Sequence, residues 1–334
     1  MSVPRPHCRA DSADAEPDAY RGAGELTRDL LSRCTFPDPG SDLVCGVSGG
    51  ADSLSLLALA VAAGCRVTAV HVDHGLRSGS AAEADVVTRA ARRFGATFRA
   101  VRVEVADGPN LEARSRELRL AALGPGAATG HTADDQAETV LANLLRGAGV
   151  RGLSAMRAGP EHPLLALRRS ETVALCDRLG LTPVHDPSND DPRFVRNRVR
   201  HELVPLCSQI AGRDVVPILA RQAGVLGGDA DLLDAVASLV DPHDAAALAS
   251  APLAVGRRSV RDWLTGDGPY PPPLDAVDRV LEVARRQRRA TQTPGGRTVR
   301  RSAGRLSVTP APPAIPATGP VPTAGPDAPV QSGR

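Results

Sequence analysis

Short apolar runs and longer helical stretches alternate along the first part of the chain. Leu43 to Val47 is an apolar run of strand length. From Ser53 to Ala63, apolar residues such as Leu54, Leu56, Leu57, Ala58 and Val61 are dense enough for a well-buried helix. Arg66 to Val72 is β-branched and strand-like, Ser80 to Phe94 reads as a helix, and Thr97 to Val105 alternates as a third strand. Asn110 can cap a helix reaching Leu123, Gly126 to Gly130 is a short strand of small residues, and Thr132 to Leu145 is the next helix. This alternation predicts an α/β fold built on a doubly wound parallel sheet. In such a sheet ligands bind beyond the C-terminal ends of the strands.

The pattern changes near Pro160. Ser170 to Leu179 is helical, Pro183 to Pro192 is a loop, and Arg193 to Cys207 is an arginine-studded helix. Val215 to Val240 reads as a long helix despite Gly227 and Gly228, and Leu274 to Arg289 as a helix with a very basic end. Arg297 to Arg301 and Arg305 to Val308 flank Ser302–Ala–Gly304 as a hairpin. The expected organisation is a disordered segment over 1–24, an α/β domain over 25–210, and a smaller, mainly helical domain over 211–309 ending in the hairpin. A Pro/Ala-rich tail over 310–334 is expected to be disordered.

The loops after strands 1, 2 and 4 carry the polar residues. Ser48–Gly–Gly–Ala–Asp–Ser53 joins the first strand to the first buried helix. Glycines let the backbone approach a ligand closely, and the free N–H groups of a helix start favour phosphate. An ordinary turn with Asp52 or Ser53 as helix cap would use the same residues. A Walker A loop is excluded, because it needs a lysine and all 40 Lys+Arg positions here are arginine.

His71–Val–Asp73–His74 ends the second strand and reads as strand-end packing or nucleotide contact; no further ligands stand at metal-site spacing. After the fourth strand comes Gly130–His131–Thr132–Ala–Asp134–Asp135–Gln–Ala–Glu138. Thr132 and Asp135 fit a capping box, and Asp135 and Glu138 share one helix face. Only one acid is needed to cap, so the surplus suits Mg²⁺ or an ammonium group. Glu112 and Arg116 are spaced as an i, i+4 pair beside Arg114, which a solvated helix face would also explain. Arg196, Arg198 and Arg200 form a dense basic band that could face phosphates.

Composition narrows this picture only slightly. A net charge of +2 means that any nucleic-acid footprint must be local. The six cysteines form no C-x-x-C, which fits reduced thiols in a cytoplasmic protein and argues against zinc and iron–sulfur sites. No apolar run is long enough for a membrane span, and residues 1–21 lack the apolar core of a signal peptide. Aromatics at 2% are too few for the stacking platform of a non-enzymatic RNA binder.

The motifs taken in order are S-G-G-A-D-S, H-V-D-H-G-L-R, E-A-R-x-R-x-x-R, G-H-T-A-D-D-Q-A-E-T, R-G-A-G-V-R-G-L and D-P-S-N-D-D-x-x-F-x-R-N-R-V-R. This set, spanning about Asp42 to Leu206, resembles the tRNA(Ile)-lysidine synthetases, a family of N-type ATP pyrophosphatases. The resemblance implies a carbon–nitrogen ligase. ATP would adenylate the C2 oxygen of the wobble cytidine in an isoleucine tRNA with a CAU anticodon, and the amine of free L-lysine would then displace AMP. It implies that Ser48, Gly49, Gly50, Ala51, Asp52 and Ser53 hold ATP, that His71, His74 and His131 flank it, and that Asp52 positions Mg²⁺. Asp135 and Glu138 would meet the lysine and, with Asp52 and Arg114, form the catalytic set, while Arg196, Arg198 and Arg200 would face the tRNA. The 211–309 domain would bind substrate, and a homodimer is compatible with the family. The alternative is another N-type ATP-dependent ligase or tRNA-modifying enzyme. One departure is His162–Pro–Leu–Leu165, where the family pattern has arginine first; a second is the short C-terminal region.

Overall fold

The structure, a computed structural model, describes residues 18–73, 80–103, 111–184, 190–266 and 271–309, without the side chains of 80–82, 111–113, 115 and 116. After α1 (Gly24–Leu31), the strands β1 (Asp42–Gly46), β2 (Arg66–Asp73), β3 (Thr97–Arg102) and β4 (Ala128–Thr129) form one parallel sheet in the order β3-β2-β1-β4. Between and after them run α2 (Ala51–Ala62), α3 (Ser80–Phe94), α4 (Leu111–Leu123) and α5 (Ala133–Leu145). The chain moves outward from β1 to β3, then returns to lay β4 on the other side of β1. Cys45 of β1 is therefore in register with Ala69 on one side and Ala128 on the other. Such a reversal opens a crevice at the C-terminal ends of β1 and β4. The α/β parallel-sheet expectation is met.

Burial explains the central place of α2. Every residue from Ser53 to Ala60 is buried, so this helix is covered all round, with β1, β2, α1, α3 and α7 (Arg169–Arg178) among its neighbours. In α3, Val87, Ala90, Ala91 and Phe94 form one buried stripe at helical spacing. The edge strands are shorter than expected: β3 stops at Arg102, and β4 has two residues.

Residues 18–24, expected to be disordered, are ordered. Tyr20 is buried, stacks at 5.3 Å on Phe94 and donates its hydroxyl to the carbonyl of Ala58 at 2.6 Å. One buried aromatic thus anchors a polar stretch whose composition gave no sign of it. Residues 1–17 and 310–334 lie outside the described residues.

The short α6 (Val150–Leu153) follows α5, and α7 returns to pack on α2. The expected helix 193–207 is in fact α8 (Val195–Arg198), a π-helical turn (Val199–Leu203) and α9 (Val204–Ala211), followed by α10 (Val216–Ser238). The chain divides into two compact units at Ala230/Asp231, not at residue 210. The reason is packing: Val216 is buried with Ala133 and Ala137, and Leu219 lies against Leu141, Ala142 and Val199. The second unit holds α11 (Ala245–Ser250), α12 (Leu253–Thr265), α13 (Leu274–Ala284) and an antiparallel sheet of β5 (Ala290–Thr293), β6 (Arg297–Ser302) and β7 (Arg305–Thr309). Leu248, Val260, Leu264, Val280, Leu281, Val299 and Leu306 are its core. The β6–β7 hairpin stands where the pattern put it, whereas α13 ends five residues before Arg289. Arg286 adopts φ 65°, and the chain from Ala290 pairs with β6 instead.

Candidate active site

The loop between β1 and α2 is shaped by one glycine and fastened by one serine. Gly49 has φ 90°, a left-handed conformation that side chains disfavour. The Ser53 hydroxyl accepts from the Ser48 N–H at 3.1 Å, lies 3.2 Å from the Ser48 hydroxyl, and donates to the Gly50 carbonyl at 2.9 Å. Ser53 is thereby committed to the loop itself. Gly50 caps α2, whose first intrahelical bond is Leu54 N–H to the Gly50 carbonyl at 3.0 Å. The N–H groups before Leu54 then point out of the helix start, a cradle for an anion.

Gly130, at the end of β4, closes this crevice from the other side. A Cβ at Gly130 would lie 2.7 Å from the Asp52 carbonyl oxygen, so only glycine lets the two backbones meet. His71 is buried at the end of β2 with Nδ1 3.0 Å from the Val47 carbonyl. A carbonyl only accepts, so Nδ1 carries a proton, and the buried Nε2 has no partner among the described residues. His74 lies outside the described residues. His131 meets the Thr129 hydroxyl at 2.7 Å through Nδ1 and stands edge-on to His162, with ring centroids 5.1 Å apart. Thr129 also reaches Nδ1 of His162 at 3.0 Å, so the residue that departs from the family pattern packs beside this histidine. On α4, Nε and one Nη of Arg114 are buried with no hydrogen-bond partner among the described residues. Buried donors lacking an acceptor are costly, and an anionic ligand would supply one.

The centre of the site is a cluster of three carboxylates and three guanidiniums. Asp135 Oδ2 accepts from the backbone N–H of Thr132 at 2.9 Å and from its hydroxyl at 3.0 Å, completing the expected cap. Its other oxygen, Oδ1, accepts from Arg169 and Arg196, each at 2.9 Å. One carboxylate therefore both caps α5 and serves the site. Glu138, 2% exposed, receives Arg169 at 3.0 Å, Arg196 at 3.1 Å and Arg200 at 2.7 and 3.1 Å. Asp52 accepts from Arg169 Nε at 3.2 Å and from the Thr172 hydroxyl.

Shared partners do not make the carboxylates alike. Burial alone would raise the Asp135 carboxyl, but Arg169, Arg196, His131 and the Thr132 N–H outweigh it and hold it at about 2. Burial raises Asp52 above the ordinary carboxylate range, against Thr172 and Arg169, with the Asp135 charge adding to the rise. Asp135 is held by two guanidiniums at 2.9 Å with a third, Arg200, at 3.6 Å, whereas Asp52 faces Arg169. The same carboxylates keep the Arg169 guanidinium protonated against its burial.

The arginine band is not a band. On a helix, residues four apart lie within about 40° of each other, while the residue between them points the opposite way. Arg196 and Arg200 accordingly turn inward to Asp135 and Glu138. Arg198 turns out and pairs with Glu202 at 2.9 Å, both well exposed. Of the three, only Arg198 is on the open surface expected for a phosphate contact.

Four residues of the site have no role in the sequence reading: Asp134, which it names only within a motif, and Arg168, Arg169 and Thr172. Asp134 takes the Arg168 guanidinium at 3.0 and 3.1 Å and the Arg169 N–H at 2.8 Å, fixing the start of α7 against α5. A signal was present. Two arginines at a helix start oppose the helix dipole, an arrangement that needs a local anionic partner.

Asp52 is the one site carboxylate next to the anion cradle, and its side chain is 25% exposed. No group of three or more metal-binding side chains occurs among the described residues. A single carboxylate beside phosphate oxygens still suits Mg²⁺, which takes few protein ligands. The five described cysteines are free thiols, and no single helix among the described residues is long and apolar enough to cross a membrane.

Residues 25–207 match the family model described as a PP-loop domain. The chain is 42% identical over 298 residues to a tRNA(Ile)-lysidine synthase of Nocardia farcinica, covering 82% of this chain and 93% of that protein. It is 43% identical over 247 residues to the tRNA(Ile)-lysidine synthase of Rhodococcus erythropolis, covering 69% and 76%. A solved U34-tRNA thiolase from Methanococcus maripaludis is similar at 17% identity and a TM-score of 0.46, covering 61% of this chain and 78% of that one, too distant to bear on the site. With these relatives and with the loop, crevice and carboxylates described above, the chain belongs to the tRNA(Ile)-lysidine synthase family.

Proposed function

We propose that this chain joins free lysine to C2 of the wobble cytidine of a CAU-anticodon isoleucine tRNA in two steps. The C2 oxygen attacks the α-phosphorus of ATP and pyrophosphate leaves; the lysine amine then attacks C2, AMP leaves with that oxygen, and the amine sheds a proton. The observation that carries this reading is the continuity of the site. Asp52, at the anion cradle, and Asp135 with Glu138, the acids suited to an amine, are bridged by the single guanidinium of Arg169. Nucleotide and amine sites therefore adjoin within one side chain's reach.

In this reading the loop N–H groups of Gly49 to Ser53 hold the phosphates, and Arg114 supplies its buried donors to an anionic group of the adenylate. His71 Nε2 meets the nucleotide, and His131 lines it. Mg²⁺, with Asp52 as its protein ligand, would neutralise phosphate charge. AMP is a good leaving group, so positioning and electrostatics carry most of the catalysis. Arg198, exposed on α8, contacts tRNA phosphate.

Pyrophosphate release is the test. With tRNA but no lysine, release should stop at about one equivalent of adenylated tRNA; with lysine it should turn over repeatedly, and without tRNA it should be absent. Continuous release without tRNA would assign the chain to small-molecule ligation instead.

A further inference from the structure

The amine site is already full. Asp52, Asp135 and Glu138 contribute three negative charges, and Arg169, Arg196 and Arg200 three positive ones, all within hydrogen-bond contact. Asp135 and Glu138 have side chains only 9% and 2% exposed. An ammonium arriving there would add an uncompensated charge to a neutral, largely desolvated cluster, which is unfavourable. One cation must leave before another can bind well.

The three arginines differ in where else they can go. The bonds of Arg196 and Arg200 within the cluster run to Asp135 and Glu138 on α5. Arg169 also places Nε on Asp52, in the first turn of α2, beside the anion cradle. Its guanidinium can exchange carboxylates for phosphates through a short swing of the head group, and its fork geometry suits both.

We propose that Arg169 is a positioning residue that occupies the lysine amine's seat until ATP draws it to the phosphates, so that nucleotide and lysine bind with positive coupling. The proposal rests on the reading that Asp135 and Glu138 receive lysine. It goes beyond that reading by giving the order of binding and the residue that sets it. ATP vacates the seat, lysine then takes it, and by reciprocity lysine tightens nucleotide binding by the same factor.

The test measures lysine affinity of the full chain by calorimetry, with and without α,β-methylene-ATP, whose α–β bridge cannot be cleaved. For the wild type, lysine should bind at least about tenfold more tightly with the analogue, a coupling of ~1.4 kcal/mol. Arg169→Gln should bind lysine without nucleotide nearly as tightly as the wild type does with it, and the analogue should then add less than about threefold. Equal wild-type affinities with and without the analogue would overturn the proposal, as would tenfold coupling that persists in Arg169→Gln. A purely structural strut would shift both affinities together and leave their ratio alone. If Arg169→Gln fails to fold, Arg169→Lys, which keeps the charge but cannot serve three carboxylates at once, should lower the coupling below the wild-type factor; undiminished coupling there counts against the proposal. Glu138→Gln separates this proposal from the reading beneath it. Unchanged lysine affinity in Glu138→Gln with the analogue bound removes the lysine site itself. Weakened affinity there, together with no wild-type coupling, removes only the role of Arg169.

Discussion

Among the described residues, arginine stands in two contrasting settings, one buried around α5 in the first unit and one on the surface of the second. In the second unit, Arg257 pairs with Asp278, Arg279 with Asp275 and Arg305 with Asp241, each a single guanidinium on a single, partly or largely exposed carboxylate. Such pairs are screened by salt and held loosely by their long side chains. Around α5, three guanidiniums share Asp135 and Glu138, and one of them also holds Asp52. No pair there can be removed without leaving the others unbalanced, so the contacts act as one body. The residue type is the same; burial and sharing decide what it does.

The largest expected effect tests that sharing. Among the described residues, Glu138→Ala leaves Arg200 with only Asp135, 3.6 Å away, and strips a partner from Arg169 and Arg196. Breaking a buried ion pair from one side typically costs about 3–5 kcal/mol. Urea unfolding of the variant should show a loss of that order. A loss no greater than an exposed pair gives would erase the distinction between the two settings.

Asp52→Ala comes next and probes chemistry more than folding. Arg169 keeps Asp135 and Glu138 in this variant, so the cluster survives with one carboxylate fewer. Pyrophosphate release should nonetheless fall by at least about a hundredfold, because misplacement at a reacting centre costs rate on that scale. A variant turning over normally would detach the loop from the reaction.

The local parts of this site were legible in the sequence. Ser48 to Ser53, the Thr132–Asp135 cap and the shared face of Asp135 and Glu138 all follow from spacing within a single element. What spacing could not show was the tertiary meeting of α5 with α7 and α8. Arg169 is 31 positions from Glu138 and Arg200 is 62, and no periodicity connects them. The arginines of 196–200 were read as one band because charge was counted along the chain; once wound into a helix, alternate residues part company. The unit boundary moved for a similar reason. Residues 211–230 begin a long helix whose pattern does not say which domain it serves, and Val216 finds its apolar partners on α5.

Acid should dismantle the buried cluster in a defined window. The folded Asp135 carboxyl sits at about 2, below its ordinary range near 4, so its ionised form is favoured by folding. Its contribution, roughly 2 kcal/mol, is fully present above about pH 4 and is lost as pH falls through 4 towards 2. The stability difference between wild type and Asp135→Asn, measured by urea unfolding, should therefore narrow by that amount between pH 5 and pH 2. Asp52 shifts the other way and cannot produce this window. A difference that stays constant with pH would mean that Asp135 acts through its cap alone, since an asparagine still offers an oxygen to Thr132.

The smallest effect on stability is expected at Arg198, where the two settings lie two residues apart. Its side chain is 61% exposed and its partner Glu202 is 56% exposed, so this pair belongs with the surface pairs of the second unit although Arg196 and Arg200 do not. Arg198→Gln should leave the melting temperature within about a degree of wild type, as exposed substitutions usually do. Its consequence should be in RNA binding. A guanidinium that contacts one tRNA phosphate releases about one counterion, so its loss should flatten the log–log salt dependence of tRNA affinity by roughly 0.7–0.9. Arg196→Gln should do the reverse, disturbing stability and lysine binding with little change in the salt slope. If Arg198→Gln leaves the slope unchanged, the Arg198 head group faces bulk solvent in the complex. The first turns of α8 would then serve only the buried cluster, and the phosphate-facing arginines must be sought on another surface.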